Sequence, residues 1–235
     1  MKIVAIDSSG LVASVAILDG DVLIAEYTTN FKKTHSQTLL PMLDTIKNMT
    51  ELELDSVDAI AVAAGPGSFT GLRIGSATAK GLGLALGKPI IAVPTVDALS
   101  FNLWGVRDVI CPIMDARRNQ VYTGLYSFDE NGKHIVIKEQ FAEEIKKVVE
   151  EINKMGRPVV FLGDGVPVYK EKINELIKVP VQYAPAHMAY QSAGALASLA
   201  AQYYSEGKTE SAAEHTPIYL RMSQAERERL EEENK

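Results

Sequence analysis

Residues 5–17 read AIDSSGLVASVAI, and residues 113–126 read IMDARRNQVYTGLY. Each is an apolar run that ends on an aspartate, turns through a few polar residues and returns as a second apolar run. A strand, a tight turn and a returning strand have this pattern. Further along each copy, AAGPG (63–67) and FLGDG (161–165) are apolar runs that break into glycine turns. Working outward from the first hairpin, 21–29 reads as a third strand and 34–49 as a helix with Leu39, Leu43 and Ile46 at helical spacing. Pro41 is expected only near that helix's start, because proline removes a backbone donor. A strand over 58–64, a helix over 70–86 and a strand over 89–93 follow. Thr95 is the expected N-cap of the next helix.

The second copy repeats the series. It has strands at 108–115, 120–128 and 133–140, a helix over 141–155, and a strand with its glycine turn over 158–165. A mixed helix over 166–177, an extended piece over 179–185 and an alanine-rich helix over 188–205 complete it. Both halves therefore run three strands, helix, strand, glycine turn, helix, strand. This predicts an α/β protein with mixed sheets flanked by helices. It also predicts a duplicated, two-lobed architecture. The expected lobes are 1–104 and a smaller 105–235, with helix 188–205 placed to pack back on the first. Two such halves facing each other form a cleft into which the aspartate hairpins and glycine turns point. This order resembles the actin-like (ASKHA) fold of actin, hexokinase and the Hsp70 ATPase.

Composition narrows the function. The 235 residues carry a net charge of −6, which argues against a stand-alone nucleic-acid binder. The single cysteine, Cys111, sits in the apolar run DVICPIM and reads as a core thiol. No apolar run reaches the length of a membrane span, and MKIVAID is too short and too soon acidic for a signal peptide. A cytoplasmic protein is expected. His35, His134, His187 and His215 form no pair that would share a helix face around a metal, and His35 and His187 are expected at helix starts.

Asp7-Ser8-Ser9 reads as either a phosphate-binding hairpin or a plain polar turn. Gly65-Pro66-Gly67-Ser68 could cradle an anion, or it could cap the next helix through Ser68 or Thr70. With the duplication, Asp7, Ser8 and Gly67 are the candidate remnant of a nucleotide site. A serine nucleophile elbow is absent, since Pro66 stands two residues before Ser68. Asp115-Ala116-Arg117-Arg118 fits an anion site, a partner contact or a solvated turn equally well, and the charged tail 226–231 reads as a solvated end. Gly71, Gly75, Ala79 and Gly83 lie four apart on one helical ridge. Each internal glycine costs about 1 kcal/mol relative to alanine. Close approach of another backbone, in the same chain or in a partner, must compensate. The expected partner surface is this ridge with Arg73 at its edge and Leu39, Leu43 and Ile46 beside it.

GPGSFTGLRIG (65–75), KTHSQTLLPML (33–43), MDARRNQVY (114–122) and PIYLR (217–221) together resemble the bacterial TsaB (YeaZ) family. The resemblance runs from Met1 to about Arg221. It implies the actin-like fold and a non-catalytic subunit for tRNA threonylcarbamoyladenosine (t6A) biosynthesis, at adenosine 37 of tRNAs reading ANN codons. The implied partners are the glycoprotease-like TsaD, the ATPase TsaE, and a second copy when the chain is alone. On this reading tRNA is met only through the complex. No cofactor or metal is implied, although residual ATP or ADP binding stays open. A free-standing actin-like kinase or ATPase using Asp7, Asp115 and Asp164 is the alternative, and a peptidase the third.

Overall fold

The computed structural model describes residues 1–31 and 34–221; the charged tail at 226–231 lies outside them. The first sheet is built from β1 (Lys2–Asp7), β2 (Ala13–Asp19), β3 (Val22–Thr29), β4 (Ala59–Gly65) and β5 (Ile90–Pro94), in the order β3-β2-β1-β4-β5. The second uses β6 (Val109–Asp115), β7 (Gln120–Phe128), β8 (His134–Glu144), β9 (Val159–Leu162) and β10 (Val181–Tyr183), in the order β10-β9-β6-β7-β8. Reading the second list from β8 gives the first one again. In both sheets the hairpin strands are antiparallel and the later two join in parallel. The duplication seen in the sequence is thus a duplication of topology.

Helices cover the sheets in layers. Helix α1 (His35–Met49) and α2 (Phe69–Leu86) lie on the outer face of the first sheet, where Leu39, Met42, Leu43, Ile46 and Ala79 share a core with Val4, Ile6 and Val62. Helix α3 (Thr95–Phe101) and α6 (Ala193–Ser205) share one core with strands of both sheets. Helix α4 (Ile145–Met155) and α5 (Val166–Leu176) cover the outer face of the second sheet. Cys111 is buried there, and burial pushes its thiol up to about 12.

Several boundaries differ from the sequence reading. Residues 141–144 finish β8, because Phe141 and Ala142 pair with Thr123 and Tyr122 instead of entering α4. The last helix begins at Ala193, where Ser192 accepts a hydrogen bond from the Ala195 N–H (3.1 Å). His187 consequently stands in a turn before that helix, not at its start. Pro41 lies well inside α1 rather than near its start; it is exposed, so the carbonyl it leaves unpaired faces water. Pro94 occupies the cap position of α3, and the Thr95 hydroxyl accepts from the Gly65 N–H instead (3.1 Å). No helix among the described residues is long and apolar enough to cross a membrane.

Candidate functional site

The two lobes meet at a cleft of about 560 Å³, bounded by Ser9–Leu11, Pro66–Phe69, Met114–Arg118, Asp164 and residues 218–221. On the first-lobe side the hairpin is closed on itself. Asp7 is buried, and one carboxylate oxygen accepts from both the Ser9 N–H (2.8 Å) and the Ser9 hydroxyl (2.6 Å). Burial pushes its pKa up against those bonds. The Ser8 hydroxyl donates to the Gly71 carbonyl (2.9 Å), and the Ser9 carbonyl accepts from the Ser68 N–H (2.7 Å). Ser68 caps α2 by accepting from the Gly71 N–H (3.3 Å). His35, the first residue of α1, meets the Gly10 carbonyl at 2.9 Å.

This geometry explains the glycine ridge and corrects its assignment. A methyl group at Gly71 would run into the Ser8 carbonyl, and one at Gly67 into the Ser9 carbonyl. At Gly75 it would stand 2.6 Å from the Ser8 hydroxyl, and at Gly83 3.0 Å from Ala212 and Ile90. The ridge Gly71, Gly75, Ala79, Gly83 therefore faces this chain's own hairpin and strands. Leu39, Leu43 and Ile46 are buried in the same core. These seven residues do not form a partner surface; the compensating backbone is internal. Arg73 alone of the expected set is exposed, with its guanidinium 4.1 Å above the Phe69 ring and its Nε donating to Tyr219 (3.3 Å). Asp7 and Ser8 do not line the cleft, although Gly67 does. The nucleotide that the fold class implies would need those hairpin groups, and they are already engaged inside the lobe.

The second hairpin is the reverse. Asp115 accepts from the Arg117 N–H (2.9 Å) and the Tyr169 hydroxyl (2.9 Å), and its own N–H donates to Asp164 (3.1 Å). Burial, reinforced by the charge of Asp115, pushes Asp164 up to about 6. Arg117, Arg118 and Asn119 then follow with φ of 65°, 54° and 60°. Left-handed backbone costs an ordinary side chain roughly 1–2 kcal/mol, and here two arginines in a row bear it, followed by an asparagine, which tolerates it. The Arg117 side chain is 89% exposed.

The sequence reading missed how residues 209–221 are used. They form a strap along α2. Glu210 exchanges both backbone bonds with Ile90 (2.9 Å each), and the Ile218 N–H donates to Ala64 (2.7 Å). Tyr219 packs on Phe69 with ring centres 4.5 Å apart, and Arg221 donates to the Ala116 carbonyl (2.6 Å). The strap thus holds both hairpin neighbourhoods. His215 within it is 2.8 Å from the Ser76 hydroxyl and 2.6 Å from the Glu210 carboxylate. That is the connectivity of a hydrolase triad, and no local motif announces it, because His215 is distant in sequence. Ser76 is only 4% exposed inside α2 and does not line the cleft, so the three groups act as a strut.

Two lobes of repeated topology, facing each other across a cleft from which Asp7 and Ser8 of the first hairpin are withdrawn, define an actin-like protein. Residues 23–229 match the family model described as TsaD, tRNA N6-adenosine threonylcarbamoyltransferase. The Bacillus subtilis tRNA threonylcarbamoyladenosine biosynthesis protein TsaB is 36% identical over 234 residues, covering 98% of this chain and 99% of that one. The structure of YeaZ from Pseudomonas aeruginosa superposes with a TM-score of 0.80 at 27% identity, covering 93% of this chain and 99% of that one. Component A of (R)-2-hydroxyglutaryl-CoA dehydratase from Acidaminococcus fermentans shares the fold alone, with a TM-score of 0.50 at 10% identity over 88% of this chain and all of that one. The chain belongs to the TsaB (YeaZ) family.

Proposed function

We propose that this chain is a non-catalytic subunit in tRNA threonylcarbamoyladenosine biosynthesis. It works in the cytoplasm with a TsaD-type transferase and the ATPase TsaE, and pairs with a second copy when alone. The closed first hairpin carries the non-catalytic reading: the aspartate that would serve a nucleotide is bound to Ser9 within the turn, and the Ser8 hydroxyl holds α2. No nucleotide or metal of its own is needed in that role.

The partner surface follows from the outward side of the same two helices. Leu40, Met49 and Leu84 are exposed there, together with Ala77 and Gly81. Gly81 is the informative residue. A methyl group added to it would meet nothing within 4 Å, so its helix cost of about 1 kcal/mol has no compensation inside the chain. Close approach of a partner helix supplies one. Two helices meeting a similar pair would bury both apolar faces.

Reconstitution tests this reading. With TsaD, TsaE, the threonylcarbamoyl-adenylate and tRNA, modified tRNA should form only when this chain is present. Comparable product without it would refute the role. Gly81→Leu should leave the fold intact, because the position is open, and lower product by disrupting binding to TsaD. Gly75→Leu should unfold the first lobe instead. Normal partner binding by folded Gly81→Leu would move the interface elsewhere.

A further inference from the structure

The arginine turn has no part in that partner surface. Six arginines occur among the described residues, and three of them, Arg117, Arg118 and Arg221, line the interlobe cleft. Arg73 stands at its rim beside Phe69 and Tyr219. Such clustering is notable in a chain of net charge −6. Arg117 lies 3.9 Å from Asp115, but at its exposure that ion pair contributes little. Arg118 has no salt bridge among the described residues.

The backbone that presents these two side chains is strained and firmly held. Asp115 fixes the Arg117 N–H, Arg221 fixes the Ala116 carbonyl, and the Ala116 N–H donates to Gln120 (3.0 Å). A strained turn that persists because its surroundings fix it, while its side chains make little contact within the chain, points to a use outside the chain. Guanidinium forks suit phosphate oxygens, and arginine planes and exposed rings suit unstacked bases. Both occur here, since Tyr219 is 40% exposed against Phe69 and Arg73. An acidic peptide would use the charges but not the rings. Asp115 and Asp164 line the same cleft, Asp164 accepting from the Asp115 N–H and Asp115 from the Arg117 N–H and the Tyr169 hydroxyl, and two carboxyls there favour an anion at the rim rather than in the depth.

We propose that the Arg117–Arg118 turn, with the Tyr219–Arg221 end of the strap, contacts the sugar–phosphate backbone of the RNA substrate directly within the assembled complex. This rests on the functional reading above and replaces the expectation that RNA is met only through other subunits.

The test is binding of labelled tRNA to the reconstituted complex between 50 and 200 mM salt. Arg117→Gly/Arg118→Gly removes both charges and also relieves the left-handed strain, so the variant should fold at least as well as the parent. Its complex should assemble normally by light scattering. The slope of log affinity against log salt should fall in magnitude by about 1.4–1.8, at 0.7–0.9 per lost phosphate contact. Across that salt range its affinity should then drop about 7- to 12-fold less than the parent's. Arg117→Lys/Arg118→Lys should keep the parent slope. Lys146→Ala/Lys147→Ala on α4, also a loss of two charges, should leave it unchanged. An unchanged slope in the glycine variant overturns the proposal. So does failure of its complex to assemble, which would make the turn a protein contact. Failure of the subunit role itself is read separately, from product formed when the chain is omitted.

Discussion

The two hairpin turns occupy equivalent places in equivalent sheets, yet one is spent and the other is free. In the first, every residue from Asp7 to Gly10 is bonded to α1, to α2 and its loop, or within the turn. In the second, acids and backbone groups hold the turn from beneath while two arginines project from it. The first turn has no residue with left-handed backbone, and Gly67, Gly71 and Gly75 stand where a side chain would collide with it. The second carries full side chains on a strained backbone. A duplicated element can therefore serve one lobe as a keystone and the other as a presented surface without any change of topology.

Breaking the first turn should have the largest effect. Gly71→Ala places a methyl group on the Ser8 carbonyl, which is backbone and cannot swing aside. A loss of about 3 kcal/mol or more in denaturant unfolding is expected, the range of severe overpacking. A loss under about 1 kcal/mol would mean the hairpin is not a keystone.

The second turn should be sensitive to pH through Asp164. Its carboxyl is raised from 3.8 to about 6, so the native state holds a proton that the unfolded chain has released between those values. Stability from this group is present below pH about 4 and is lost as pH rises through about 6. The span is up to about 3 kcal/mol, at about 1.4 kcal/mol per unit. Asp164→Asn cannot titrate, while its side-chain oxygen can still accept from Asp115. Asp7 is raised as well, so the quantity to follow is wild type minus variant across pH 4–7. A flat difference would remove Asp164 from the account.

The smallest change sharpens the contrast. Arg118→Gly should raise stability by about 1 kcal/mol, because glycine adopts a φ of 54° without penalty. A destabilised variant would show that the Arg118 side chain holds the turn, as the serines hold the first one.

The element order, both hairpins and both glycine turns were legible in the sequence because strand and helix periods, aspartates and glycines are local signals. The ridge from Gly71 to Gly83 was legible as a close approach, but not its direction. Periodicity identifies a face without saying whether Ser8 or another molecule lies against it. Gly81 drew no notice beside the longer ridge, although the openness around it is the better pointer to a partner. The left-handed run at Arg117–Asn119 carries a composition signal only at Asn119, since arginine stands at the two positions before it where the backbone would favour glycine. Ser76 and His215, far apart in the chain, meet only through the strap.

That strap sets when the first lobe can be finished during synthesis. Its sheet is sequence-complete at Pro94, but one face waits for α6, Ile90 waits for Glu210, and Ala64 waits for Ile218. A ribosome that has emitted residues 1–104 has released a half whose apolar sheet face is covered by α3 but not by α6, and whose β5 edge lacks Glu210. Such intermediates are prone to aggregate. A first lobe cut free at residue 104 is therefore expected to aggregate, and substitution is the better way to dissect this protein than truncation.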